Sequence, residues 1–231
     1  MKADIGMIGA MDAELADLIS RLSEHFTENV SGIEFHLGIL SGKRVAIARC
    51  GIGKVFAAMC TEIMILKYSP ELIVNTGVAG AVANGISTGD IVIADTLCQH
   101  DMDTSPLGDP VGLVSGINKI YFDADSRAVE ILRTRAKEIG IKAYVGRIAS
   151  GDRFVAGAEE KNRIALAFGA AACEMEGGAV AHVAYVNSTP FAVVRAISDS
   201  ADGSATEDYP TFLSKAASTS ARLTLALVES Y

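Results

Sequence analysis

Apolar residues in this chain follow two periods. Short continuous runs alternate with stretches where apolar positions recur every three or four residues, the signatures of buried strands and amphipathic helices. The runs at 4–10, 71–76, 90–97, 143–149, 170–175 and from 191 onward predict buried strands. Residues 33–40 and 43–50 predict a strand pair joined by Ser41-Gly42, a hairpin signal. Helical spacing appears from Met11 to Leu22, where Leu15, Leu18, Ile19 and Leu22 share a face. It recurs from Lys54 to about Tyr68 and over 125–139, 158–167, 178–187 and 207–229. Residues 104–122, with Pro106, Pro110 and several glycines, form the longest irregular stretch, a place for a lid or an interface element. The total, about eight or nine strands alternating with about six helices, predicts an α/β fold. No linker or repeat divides it, so residues 1–231 read as a single domain with a central mixed β-sheet flanked by helices.

Composition narrows the class. Half of the 231 residues are hydrophobic and the net charge is −8, a globular composition that argues against nucleic-acid partners. The longest charge-free stretches are broken by Gly, Asn, His or Pro, so no membrane span is expected. Asp4 and Asp12 flank the first apolar run, which is wrong for a signal peptide. The four cysteines lack metal-ligand spacing and read as reduced core residues of a cytoplasmic protein.

The candidate chemistry sits where strands should end. After Pro190 a buried run delivers Arg195, Ser198 and Asp199 to a small polar loop, and ligands in open α/β sheets bind outside strand carboxyl ends. Taken alone, an Arg195–Asp199 ion pair and a turn would account for these charges. A second charged cluster, Glu174-Met175-Glu176, lies in an equally apolar setting. Asp12 and Glu14 fall in a helix's first turn, where carboxylates suit the macrodipole. Glu14 also follows directly on a strand end. Gly51-Ile52-Gly53-Lys54 opens a helix and could cradle an anion on its N–H groups. The dinucleotide fingerprint fails, because Phe56 stands where its third glycine belongs and no acidic residue follows about 20 positions on. The glycines of 77–80 permit close backbone approach, but the Lys-Ser/Thr ending of a phosphate loop is missing. His100-Asp101-Met102-Asp103 has a single histidine and reads as a polar loop rather than a metal site. His182 reads as an ordinary helix residue. Phe154, after a strand end, is either a stacking platform or a loop anchor.

Together the motifs Ile8-Gly9-Ala10-Met11 with Glu14, Gly51-Ile52-Gly53-Lys54, Asn75-Thr76-Gly77-Val78-Ala79-Gly80, Ser150-Gly151-Asp152 with Phe154, Glu174-Met175-Glu176 and Arg195-Ala196-Ile197-Ser198-Asp199 resemble the 5′-methylthioadenosine/S-adenosylhomocysteine nucleosidases of the purine nucleoside phosphorylase superfamily, over nearly the whole chain. The resemblance implies a homodimeric N-glycosidic hydrolase that needs no cofactor or metal and acts on a small-molecule nucleoside. By similarity, Asp199 is the general acid to purine N7 and Glu14 the base for the attacking water. Ser198 positions Asp199, and Arg195 fixes the acidic groups and the water. Glu176 binds the ribose hydroxyls, Glu174 is a further substrate-binding residue, Met175 packs on the ribose face, and Phe154 and the Val155 backbone take the adenine. Val78, Ala79 and Gly80 belong to the binding wall. Met11, Ile52 and Tyr209 line the 5′-alkylthio pocket, completed by Leu107 of the neighbouring subunit. Val78 stands where many relatives have serine and Ala81 where many have glycine. Leu107 and Tyr209 replace phenylalanine, which leaves open the preference among methylthioadenosine, S-adenosylhomocysteine, 5′-deoxyadenosine and 6-amino-6-deoxyfutalosine. A phosphorylase on the same fold would need a basic anion site, and the N-terminal loop offers Met11 and Glu14 instead. A non-catalytic nucleoside-binding protein would lack Glu14 or Asp199, and both are present.

Overall fold

The computed structural model describes residues 2–201 and 204–231. Two strands carry the core. β5 (Leu72–Ala81) and β10 (Phe191–Asp199) are buried along their whole length, as apolar runs without alternation require. They pair in parallel, and β5 also pairs in parallel with β1 (Ile5–Gly9). From β1 the sheet continues through parallel β4 (Lys43–Arg49) to the antiparallel β3 (Ile33–Leu40) and β2 (Ser23–Val30). On the other side, β10 pairs with β6 (Ile91–Gln99), which pairs with β8 (Ala143–Ser150), and β8 with β9 (Ala172–Glu174). β9 returns to the end of β5 at Gly80 and Ala81. Five strands therefore close on themselves, with β6, β8 and β9 running antiparallel to β5 and β10. A short β7 (Phe122–Asp123) adds to β6.

The mixed sheet and the helices agree with the expectation. α2 (Lys54–Tyr68) and α5 (Gly177–Val186) pack on one face, through Cys60, Met64, Val180 and Ala184. α1 (Asp12–Ile19), α3 (Ser126–Glu138) and α6 (Ala205–Ser230) cover the other through Leu15, Leu18, Leu132, Leu223 and Leu227. α4 (Ala158–Phe168) packs beside β8. No helix among the described residues is long and apolar enough to cross a membrane.

Several details differ from the sequence reading, among them a β7 at the end of the stretch read as irregular. β2 was not anticipated: most of it is exposed, so it shows no buried face to reveal it. α1 stops at Ile19, and Leu22 lies beyond it. β9 spans only 172–174 rather than 170–175. β5 does not end at Thr76 but runs on through Gly77–Ala81, because β10 and β9 supply partners for it there.

Candidate active site

The site begins with two glycines in β5. A side chain at Gly77 would collide with Arg195 and Glu14, and one at Gly80 would lie 2.8 Å from an Asp199 oxygen. The glycines keep the strand bare so that charged groups can pack against it. β10 aligns Arg195 with Gly77 and, after a register shift beyond Ile197, Asp199 with Gly80. Because Gly77 and Gly80 are an odd number of residues apart, they face opposite ways. This separates the two charged side chains and overturns the simple Arg195–Asp199 ion pair.

Arg195 is fully buried. It contacts Asn75 and Glu174, lies 3.6 Å from Glu176 and approaches Glu14 at 4.0 Å. A buried arginine of this kind needs carboxylates and amide oxygens around it; here they gather at Nη2, and Nε has no hydrogen-bond partner among the described residues. Asn75 in turn donates to the Ile8 carbonyl at 2.9 Å, which ties the cluster to β1.

Glu14 occupies the third position of α1 and reaches back to the helix start. Its Oε2 accepts from the Ala10 and Met11 N–H groups at 2.7 and 3.0 Å, and its Oε1 accepts from the Val78 N–H at 3.0 Å. It is therefore both a helix cap and part of the cavity wall. Burial pushes its pKa up; the Arg195 charge and the three N–H groups oppose that. Asp12, two residues earlier, is exposed and pairs with Arg49 at 3.3 Å.

Glu174 and Glu176 flank Met175. The Glu174 carboxylate accepts from Ser150 and from the first N–H groups of α5, Glu176 at 3.0 Å and Gly177 at 2.7 Å. Glu176 accepts a 2.8 Å hydrogen bond from the Gly53 N–H. One N–H of the Gly-Ile-Gly turn thus meets the protein's own carboxyl group. Burial raises the Glu176 pKa, with Glu174 adding to it and Arg195 opposing it. Asp199 is buried; Ser198 Oγ donates to its Oδ2 at 2.8 Å and the Ala201 N–H to its Oδ1 at 2.8 Å.

These groups surround a cavity of about 360 Å³, of small-ligand size. Its walls include Met11, Glu14, Ile52, Val78, Ala79, Gly80, Phe154, Val155, Glu174, Met175, Glu176, Ser198, Asp199 and Tyr209. The sequence reading thus finds nearly all of its site residues on one cavity. Arg195 lies behind the wall rather than in it. Leu107 is absent from the cavity and 85% exposed, in a 3₁₀ turn over Ser105–Leu107. Phe154, 48% exposed, meets Tyr209 edge to face at 5.4 Å, and the Tyr209 hydroxyl donates to Met11 Sδ at 3.3 Å. Ala10, Arg153 and Cys173 also line the cavity and were missed; each adjoins a chosen residue, and nothing in its own type marked it. Asn75 was noted only within its motif, because an amide in an apolar strand does not announce its arginine partner.

In the polar loop at 100–103, as elsewhere among the described residues, no group of three His, Cys, Asp or Glu side chains is gathered in a way that could hold an ion. His100 is buried, with its pKa lowered by burial, and Asp101 is turned to Lys54.

Residues 4–229 match the family model described as the phosphorylase superfamily. The 5′-methylthioadenosine/S-adenosylhomocysteine nucleosidase of Shewanella loihica is 37% identical over 227 residues, covering 97% of this chain and 98% of that protein. The crystal structure of the nucleosidase of that name from Neisseria meningitidis, in complex with methylthio-immucillin-A, superposes with a TM-score of 0.95 at 34% identity, covering 98% of this chain and 99% of that one. The futalosine hydrolase of Helicobacter pylori superposes equally well, with a TM-score of 0.95 at 33% identity and coverage of 98% and 97%. With its cavity, its paired carboxylates and these relatives, the chain belongs to the 5′-methylthioadenosine/S-adenosylhomocysteine nucleosidase family of the phosphorylase superfamily.

Proposed function

We propose that the protein hydrolyses the N-glycosidic bond of 5′-methylthioadenosine, S-adenosylhomocysteine and 5′-deoxyadenosine. The observation that carries this reading is the Glu14 carboxylate, fixed in the cavity wall by three main-chain N–H groups. A carboxylate so held is a prepositioned base. It takes a proton from water as the water oxygen bonds to C1′ and the C1′–N9 bond breaks. Asp199, oriented by Ser198 and Ala201, supplies a proton to N7, so adenine leaves neutral. Glu176 binds the ribose hydroxyls, and its charge favours the developing cation. Met175 packs on the sugar, and Phe154 stacks on adenine with the Val155 backbone at its edge. Val78, Ala79 and Gly80 form the wall behind. Met11, Ile52 and Tyr209 receive the 5′ substituent.

Hydrolysis is favoured over phosphorolysis on electrostatic grounds. Arg195 is already engaged by Glu174, Glu176 and Glu14, and a phosphate would meet these carboxylates. The futalosine hydrolase neighbour keeps 6-amino-6-deoxyfutalosine as a second substrate to test.

Leu107, exposed on its own chain, completes the 5′ pocket of a second copy in a homodimer. The exposed apolar side chains Val55, Phe56 and Met59 at the start of α2 support such a contact. Four buried, unpaired cysteines suit a reducing cytoplasm.

The test is adenine release from 5′-methylthioadenosine, followed by chromatography with and without phosphate. Release without phosphate, with methylthioribose as co-product, is expected. Release only with phosphate would overturn the assignment of Glu14.

A further inference from the structure

Lys54 lies outside the cavity, yet it sits where two segments that line the cavity meet the end of β6. Its ammonium donates to Asp101 Oδ1 at 2.6 Å and to Gln99 Oε1 at 3.2 Å, at the end of β6. Asp101 Oδ2 accepts from the Asp152 N–H at 2.9 Å, and Asp152 Oδ1 accepts from the Lys54 N–H at 2.8 Å. Lys54, Asp101 and Asp152 therefore form a closed ring. Gln99 extends it towards α5, with Nε2 3.3 Å from His182 Nδ1. Most of the Lys54 and Asp101 side chains is shielded from water, where a charge-assisted hydrogen bond is stronger than at the surface.

Two arms of the ring lead to different parts of the cavity. Gly53, whose N–H holds Glu176, immediately precedes Lys54. Its backbone has φ +100°, and a Cβ there would lie 3.0 Å from Asp152 Oδ1, so the two loops are already in close contact. Phe154 follows Asp152 by two residues and lines the cavity. The ring thus joins the turn that fixes a sugar-side carboxylate to the loop that carries the aromatic platform. Neither Lys54 nor Asp101 touches the cavity.

We infer that Lys54 is a positioning residue that locks these two loops together, so that the ribose-side carboxylate and the purine platform are set as one unit. This rests on the nucleosidase reading for its consequence in catalysis, though not for the coupling itself. A nucleoside bridges both loops and needs both set at once, so loosening the ring weakens nucleoside binding more than the chemical step.

The experiment compares Lys54→Met, Lys54→Arg and Asp101→Asn with the wild type. The Met variant keeps the apolar stem and removes the ammonium. Michaelis parameters for 5′-methylthioadenosine are measured beside amide hydrogen exchange of the unliganded proteins. For Lys54→Met, KM is expected to rise about tenfold, the size of a lost charged hydrogen bond, with kcat changed less than about threefold. Lys54→Arg should recover most of the loss. Amides of 51–54 and of 150–154 should exchange faster together. Asp101→Asn should loosen the same two segments, and it decides the matter should Lys54→Met fail to fold. KM within about twofold of wild type, or faster exchange in 51–54 alone, would overturn the inference. A wild type that releases no adenine would overturn the nucleosidase reading instead, and the exchange data would still decide whether Lys54 couples the loops.

Discussion

The two sides of the cavity are built differently. On the buried side, Glu14, Glu174, Glu176 and Arg195 are shielded from water, and their oxygens and nitrogens are held largely by main-chain N–H groups and by each other. On the rim, Phe154 is half exposed, Ile52 is 55% exposed, and Tyr209 has a thioether as its hydrogen-bond acceptor. The chemistry is placed on rigid strand and helix ends, and recognition is left to aromatic and aliphatic side chains with room to adjust. The contrast teaches that the reacting groups tolerate little change, while the rim can vary with the substrate.

The largest expected effect breaks the rigid side. Asp199→Asn should lower kcat by about 10²- to 10⁴-fold, the usual worth of a general acid, while nucleoside binding by calorimetry persists. Near-normal turnover would remove Asp199 from its role. Glu14 sharpens the same side through pH. As the proposed base it must be ionised, and burial raises its pKa. The acid limb of kcat/KM should therefore lie above the ordinary glutamate value of about 4.3, with activity falling as pH drops through it. In Glu14→Gln the rate should be low and that limb absent; a limb that survives belongs to another group. Linkage has the opposite sign. A carboxyl whose pKa is raised by folding stabilises the fold below its ordinary pKa, and that contribution is lost as pH rises through the folded value. Wild type should thus lose more stability than Glu14→Gln over that window in denaturant titrations.

The rim should respond more mildly. Phe154→Ala should raise KM about tenfold or more, since stacking of a base on an aromatic ring is worth about 1–3 kcal/mol, with kcat little altered. A collapse of kcat instead would place Phe154 on the rigid side. The smallest effect belongs to Asp12, which shares the first turn of α1 with Glu14 but faces water. Asp12→Ala should change activity and stability by less than about 1 kcal/mol, as exposed ion pairs do.

That pair of acids shows what the sequence could and could not disclose. Both suit a helix start, and the position of Glu14 after a strand end was a hint rather than a proof. What separates them is the Val78 N–H, 64 positions away, which no local pattern contains. The buried strands were legible because their apolar runs are continuous. β2 was not, since most of its residues are exposed, and its place in the sheet comes from pairing with β3. The glycines after Thr76 looked like a loop because glycine weakens strands. They continue β5 because packed carboxylate and guanidinium groups need the space. Arg195 and Asp199 looked like partners at a spacing of four, and a register shift in β10 separated them.

The hydrogen bond from Gly53 to Glu176 spans 123 positions, and Glu14 and Asp199 stand near opposite ends of the chain. A polypeptide still being synthesised therefore holds no partial version of this catalyst. Activity should appear in a single step, after the last strand has entered the sheet, which makes adenine release a sensitive reporter of complete folding in a growing chain.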